Sequence, residues 1–427
     1  MRKALLLAAV PLGALIVPLA CAGLDDSTAS SEDDVVSSED EWKQRCPDGG
    51  PKYPWQRCPD AGAKPGSGSS SSSGGTKPGS GSSSSGGTSA SSSSSSSSGA
   101  GGAGSSSSSS SASASSSSSG GSQGTGTGLF SAANPWNTPV AGSPKSATSN
   151  AVIQWLANNG GWGTGSMRID FTINVLHADA STPMKTFTKT GDFYSPDCDQ
   201  VPFPVPAGGA LENEQGYQCT GDGDCHLIVV HHPTSKLYEM WRANITGSTF
   251  YGGCAVVWNL LKAYPPSLRG EGCTSADAGG FPIAAMLPTA DEVAEGEIPH
   301  AIRFILPNSR IRGGNVYVRP GTHTTSATSG GADAPPYGVR LRLRANYPVT
   351  SLASSGARVV AKAMQKYGMV LSDGGNIALT FANDKFTTRK WSEVGLGPTS
   401  LQALKVTDFE VVDTGGTISP NGCTRNP

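Results

Sequence analysis

Apolar residues are scarce before Leu129 and recur with definite periods after it, so the pattern itself marks where a fold begins. The clearest signal is 221–241, G-D-G-D-C-H-L-I-V-V-H-H-P-T-S-K-L-Y-E-M-W. Leu227 to Val230 is an apolar, β-branched run, Pro233-Thr234-Ser235-Lys236 has turn chemistry, and Leu237 to Trp241 alternates again, which predicts a β-hairpin. With 233–236 as the loop, Val230 pairs with Glu239 and His226 falls on the face of Glu239; a slip of one residue would separate them. Strands are also predicted over 167–176, 301–306, 316–319, 339–344 and 409–412. In 339–344, Arg340, Arg342 and Arg344 alternate with Val339, Leu341 and Leu343, a half-buried strand with one charged face. Helical spacing predicts 149–158, 255–263, 290–294, 355–366 and a short 399–404. In the fourth of these, Val359, Val360, Ala363, Met364 and Tyr367 form a core-facing stripe. The expected fold is mainly β (α+β), a β-sandwich-like domain with helical decorations.

The polar half of the chain reads differently. Residues 1–21 carry a basic start (Arg2, Lys3), an apolar run and small Ala20 before Cys21, the pattern of an export signal. The junction resembles a bacterial lipobox with Cys21 as the lipidated residue; Pro18 and Leu19 depart from the usual run, which leaves plain cleavage as the alternative. Residues 22–61 form an acidic tether too polar to bury a core. Within it Trp42-Lys43-Gln44-Arg45-Cys46-Pro47-Asp48 is echoed by Trp55-Gln56-Arg57-Cys58-Pro59-Asp60, and Cys46 with Cys58 is expected to close a small disulfide loop. Residues 62–128 are nearly all Ser, Gly, Ala and Thr, a flexible linker preceding the folded domain at 129–427. At ~5–6 Å × √n, this roughly 67-residue run has an r.m.s. span of about 40–50 Å. The expected location is the bacterial outer envelope or the medium, with membrane contact only through a lipid at Cys21.

The formal net charge is −2 and no basic stripe appears, which excludes nucleic acid as the expected partner. Six of the nine cysteines (Cys198, Cys219, Cys225, Cys254, Cys273, Cys423) fall in the domain and predict a disulfide framework whose connectivity the spacing leaves open. No G-x-S-x-G elbow and no P-loop occur in the domain at 129–427. All six histidines lie in the domain.

Several stretches together resemble a group of secreted actinobacterial, acidobacterial and myxobacterial proteins. They are Asn134-Pro135-Trp136-Asn137, Asp224-Cys225-His226 with Leu237-Tyr238-Glu239, Thr274-Ser275-Ala276-Asp277-Ala278, and Ile298-Pro299-His300-Ala301-Ile302-Arg303-Phe304. Tyr317-Val318-Arg319-Pro320 with His323, Arg340-Leu341-Arg342-Leu343, Tyr367-Gly368-Met369 with Asp373, and Asp408-Phe409-Glu410-Val411-Val412 complete the set. The group has no established activity, so the resemblance implies domain limits and site candidates, and no reaction. The cysteines stand outside its pattern, as added staples.

Two constellations could carry chemistry. Asp224, Glu239 and Asp277 are candidate catalytic carboxylates, because glycosidases need one protonated acid and one ionised partner. Gly279-Gly280 after Asp277 would let backbone approach a ligand. Trp136, Trp162, Trp241 and Trp258 offer flat faces for sugar rings, with His226, His300, His323 and Arg340 as further substrate contacts. The structural alternative makes Asp277 a turn cap and pairs Glu239 with an arginine such as Arg242. In the second constellation Asp224, His226 and Glu239 hold zinc or copper. His231-His232 is expected to be decoration at the hairpin end. The leading expectation is a surface-tethered glycoside hydrolase on an extracellular polysaccharide, without a cofactor. The alternatives are a stalked polysaccharide-binding module or a metal-dependent hydrolytic or oxidative enzyme. Asp224, His226, Glu239, Asp277 and His300 are predicted to converge in one cleft.

Overall fold

A computed structural model describes residues 128–426 apart from Asp222, together with one short antiparallel pair, Gln44–Arg45 with Pro51–Lys52. Cys21, Cys46, Cys58 and the Ser-rich linker lie outside the described residues. The strands of the two main sheets are, in chain order, β1 (Ile169–Ile173), β2 (Val175–Ala178), β3 (Leu227–His231), β4 (Lys236–Trp241) and β5 (Cys254–Asn259). They continue with β6 (Ile302–Leu306), β7 (Arg340–Leu343), β8 (Met369–Gly374), β9 (Leu379–Ala382) and β10 (Phe409–Val411). A six-stranded mixed sheet runs β10-β7-β8-β6-β9-β1, and a four-stranded sheet runs β5-β4-β3-β2. The chain steps from one sheet to the other between β1 and β2, at buried Asn174, whose side chain donates to the Leu211 carbonyl.

Both sheets feed one apolar layer. Ile173, Val370 and Ala382 of the larger sheet and Ile228, Val230, Val256 and Trp258 of the smaller belong to the same buried cluster. The outer face of the larger sheet packs Ile302, Phe304, Leu371 and Phe381 under the helices. The outer face of the smaller sheet buries Leu227, Val229, Tyr238 and Met240 under loops. Because β3 is covered on both sides, it reads as a continuous apolar run without alternation. The result is β-rich, with two sheets sharing a core and three α-helices among the described residues: α1 (Ser149–Asn158), α2 (Ala290–Glu295) and α3 (Ser355–Lys366). Each helix has a local cause. In α2, Thr289 and Glu292 form a capping box and Gly296 closes the far end at φ 90°. In α3, Ser354 caps the Ala357 N–H, and Ala357, Val360, Ala361 and Met364 face the core.

The structure corrects several expectations. Residues 255–263 are not a helix; Cys254–Asn259 is the edge strand β5, fully paired with β4. Val256 and Val257 are β-branched, and both faces of the strand are buried, so its apolar run carried no alternation to read. Residues 316–319 make only isolated bridges through Tyr317, and 399–404 is a run of turns. In the hairpin, Val230 lies opposite Leu237 and Glu239 opposite Ile228. The loop is therefore 232–235, two residues from the expected register. An even slip preserves the face, so Glu239 still points into the layer between the sheets.

Three disulfides, Cys198–Cys254, Cys219–Cys225 and Cys273–Cys423, resolve the framework and fit an oxidising, extracytoplasmic environment. No helix among the described residues is long and apolar enough to cross a membrane.

Candidate functional site

One end of the layer between the sheets is charged. Arg303 on β6 lies opposite Val370, a member of the shared layer, so its side chain enters the same space. There its Nη2 donates at 2.9 Å to Asp277 Oδ1 and at 2.9 Å to Asp373 Oδ2, and its Nη1 donates at 2.9 Å to Thr380 Oγ1. Asp373 comes from β8 and Thr380 from β9. Asp170 of β1 is Thr380's partner in the parallel ladder. The inner face of the larger sheet thus supplies two acids, an arginine and a hydroxyl.

The smaller sheet supplies the other wall. Cys225, at φ 49° and bonded to Cys219, breaks the chain just before β3 and fixes where His226 begins. His226 is buried; its Nδ1 lies 2.6 Å from Glu212 Oε2 and its Nε2 3.0 Å from the Ala276 carbonyl. Both ring nitrogens face acceptors, so both carry protons. Burial works against that charge, but Glu212, with a smaller contribution from Asp224, raises the His226 pKa to about 10. Burial also opposes the charge on Glu212, yet His226 and Arg303 hold its pKa below the usual range.

Asp277 is presented by a tightly braced loop. The Thr274 N–H bonds Asp197, Ser275 Oγ donates to the Phe281 carbonyl, and Cys273 is tied to Cys423. Gly279 and Gly280 do not open the backbone to a ligand. A Cβ at Gly280 (φ 84°) would meet Thr322 Oγ1 at 2.0 Å, and one at Gly279 would meet the Phe281 ring, so packing within the protein requires both. His323 adds a neighbouring strut: its Nδ1–H donates to the Ala278 carbonyl at 2.8 Å.

Burial divides the acids of this cluster. Asp277 is 0% exposed, whereas the side chains of Asp373 and Glu212 keep 20% and 16% of their surface open. Burial, then the charge of Asp277, pushes the Asp373 pKa well above the carboxylate range against the pull of Arg303. Burial and the charge of Glu212 also raise Asp170. Asp373, with its pKa raised, and Glu212, with its pKa lowered, are thus the partly accessible acids of one charged cluster, and opposed shifts of this kind are what acid–base chemistry uses.

The expected site residues divide accordingly. Asp224, His226 and Asp277 do come together. Asp224 is exposed at the rim, where Oδ1 accepts the Trp241 indole N–H at 2.8 Å beside a half-exposed ring. Glu239 sits deeper in the same layer, fully buried, accepting the Trp258 indole N–H at 3.0 Å and the Ala284 N–H at 2.8 Å. It has no arginine; Arg242 pairs with Asp192. Burial raises the Glu239 pKa to about 7. His300 leaves the group: Nε2 lies 3.3 Å from Glu292 of α2 and Nδ1 2.8 Å from the Ala301 carbonyl.

Trp136, Trp162 and Trp258 are buried and offer no ring face to a sugar. Trp136 instead packs edge-on against Phe130 and Trp258. Arg340 is buried too and donates to the carbonyls of Tyr367, Pro135 and Thr138, which pins the 134–138 turn to β7. The zinc or copper set of Asp224, His226 and Glu239 does not form, because each side chain is committed to a different protein partner. The groups of close donors among the described residues are Asp197, Cys273 and Cys423, and Glu214, Cys219 and Cys225, whose cysteines are spent in disulfides.

Sequence reasoning missed Glu212, Asp170 and Thr380 and gave Arg303 and Asp373 no role, although both lie in stretches that carried the resemblance. Comparison with known proteins finds no matching family model, no matching curated protein and no matching solved structure.

Proposed function

We propose that the protein is a glycoside hydrolase, tethered at the cell surface, acting on an extracellular polysaccharide, with Asp373 as general acid and Glu212 as the ionised partner. The observation that supports this reading is the opposed shift of two acids within one cluster: burial and the charge of Asp277 raise the Asp373 pKa well above the carboxylate range, while His226 and Arg303 hold that of Glu212 below it. A protonated acid and an ionised carboxylate are the two groups that glycosidic cleavage needs. Asp277 and Glu239 are closed to substrate. Asp277 acts through Arg303, and Glu239 anchors the segment at Ala284. Trp241, half-exposed beside Arg242 and with its indole N–H fixed by Asp224, is the aromatic proposed to contact the sugar. A lipid at Cys21 and the long Ser-rich linker would give this site reach over an insoluble polymer.

The test is release of new reducing ends from a panel of glucan, xylan, mannan and arabinan by the purified protein. Asp373→Asn, which keeps shape and removes the acid, is expected to lower turnover ~10²–10⁴-fold with little change in affinity. No release from any of these polymers by the unmodified protein would overturn the hydrolase. Saturable binding without turnover would point to a binding module on a stalk.

A further inference from the structure

Away from that cluster, a cavity of about 460 Å³ opens at the β2 edge of the smaller sheet, with His177, Asp179, Ser181 and His232 in its wall. His177 Nδ1 and His232 Nε2 lie 2.9 Å apart, with the rings only 13° from parallel planes and their centroids 5.1 Å apart. The two imidazoles thus meet edge to edge across a single shared proton. Two elements fix them there. His177 sits on β2 opposite Val230, between buried Leu176 and Ala178. His232 opens the one-turn 3-10 segment His232–Thr234, where Pro233 limits the backbone.

The other four histidines are each engaged by oxygen. His226 faces Glu212 and Ala276, His231 faces Thr234, His300 faces Glu292 and Ala301, and His323 faces Ala278. Only the exposed pair joins nitrogen to nitrogen. In water such a bond between exposed groups adds little stability, so fold maintenance is a poor reason for it.

We propose that His177 and His232 form a binding site for a divalent late-transition-metal ion, zinc or copper, with solvent completing the shell. At metal–nitrogen distances of ~2.0–2.1 Å, a tetrahedral pair of imidazoles has its nitrogens about 3.3 Å apart, about 0.4 Å wider than here, and the rings tilt so that both lone pairs converge on the ion. The bridging proton moves through solvent to the other nitrogen of its own ring, which frees both lone pairs. Two metal–nitrogen bonds replace two metal–water bonds, and no proton is lost overall.

The experiment uses the whole protein purified without a polyhistidine tag, titrated calorimetrically with Zn²⁺ and with Cu²⁺, alongside His177→Ala, His232→Ala and His226→Gln. The expected result is one ion per chain, with either alanine variant weakening binding at least ~10–100-fold, the loss typical even of a ligand's supporting partner. Metal-free melting temperatures of the alanine variants should stay close to that of the parent, and the metal-induced rise in Tm should vanish in both. No stoichiometric binding of either ion, or binding that survives both substitutions, overturns the site. Binding abolished by His226→Gln and not by His232→Ala overturns it equally, by moving the ion to the charged cluster.

Discussion

The layer between the two sheets buries a carboxyl at each end and treats them oppositely. At the apolar end Glu239 is surrounded by Trp258, Ile283 and Ala284 and meets only neutral N–H donors; its pKa rises to about 7, chiefly through burial. At the charged end Asp277 is just as inaccessible but is met by a guanidinium. Neutral donors leave burial to raise the pKa of Glu239, whereas at the other end one guanidinium is shared by two carboxyls, Asp277 and Asp373. Only the second end combines an acid of raised pKa, Asp373, with one of lowered pKa, Glu212, both partly open to solvent, which is why that end is the candidate for chemistry and the other for support.

The comparison breaks most visibly at Arg303. Arg303→Met leaves Asp277 buried without its cation and should cost about 3–5 kcal/mol, read by urea unfolding near neutral pH. A loss under about 1 kcal/mol would mean the guanidinium is as dispensable as a neutral donor, and the two ends would be alike. The next effect is pH-dependent. The folded pKa of Glu239, about 7, lies above its ordinary 4.5, so the native state binds the extra proton and stability falls as pH rises from 4.5 through about 7. The expected loss is on the order of 3 kcal/mol at most. Other groups titrate too, so the measurement is the difference between parent and Glu239→Gln; equal slopes across that window would remove the claim. The smallest effect sharpens the quiet end. Trp258→Phe removes one donor to Glu239 without opening the layer widely, and about 1–3 kcal/mol should be lost. Urea midpoints of Trp258→Phe unchanged from the parent would show that the indole bond is incidental.

Much of the frame was legible. Helices 149–158 and 355–366 coincide with α1 and α3, because their apolar stripes, and for α3 the Ser354 cap, are local signals. The hairpin was legible in kind and in face, though its register was not, since Pro233 lies inside the turn where it was expected to open it. The strand at 254–259 and strands β8 and β9, which flank β6, were illegible because burial on both faces erases alternation. At the site, Asp224, His226 and Asp277 stood out by type, but nothing local marks Glu212 as the partner of a histidine 14 positions away. Burial misled in the other direction: tryptophans that looked like sugar platforms are core residues, a distinction that composition cannot make.

Cys273 and Cys423 lie 150 positions apart, and Asp277, Arg303, Asp373 and Thr380 all fall inside the ring that they close. At synthesis rates of ~5–20 residues per second, roughly 8–30 s separate the appearance of the two cysteines. The Asp277 loop is thus the last part of the framework to be stapled. Cys219–Cys225, only six positions apart, can close long before it. Stapling of the Asp277 loop therefore needs Cys423 as well as an oxidising environment, so the charged cluster depends on a residue far outside it in sequence.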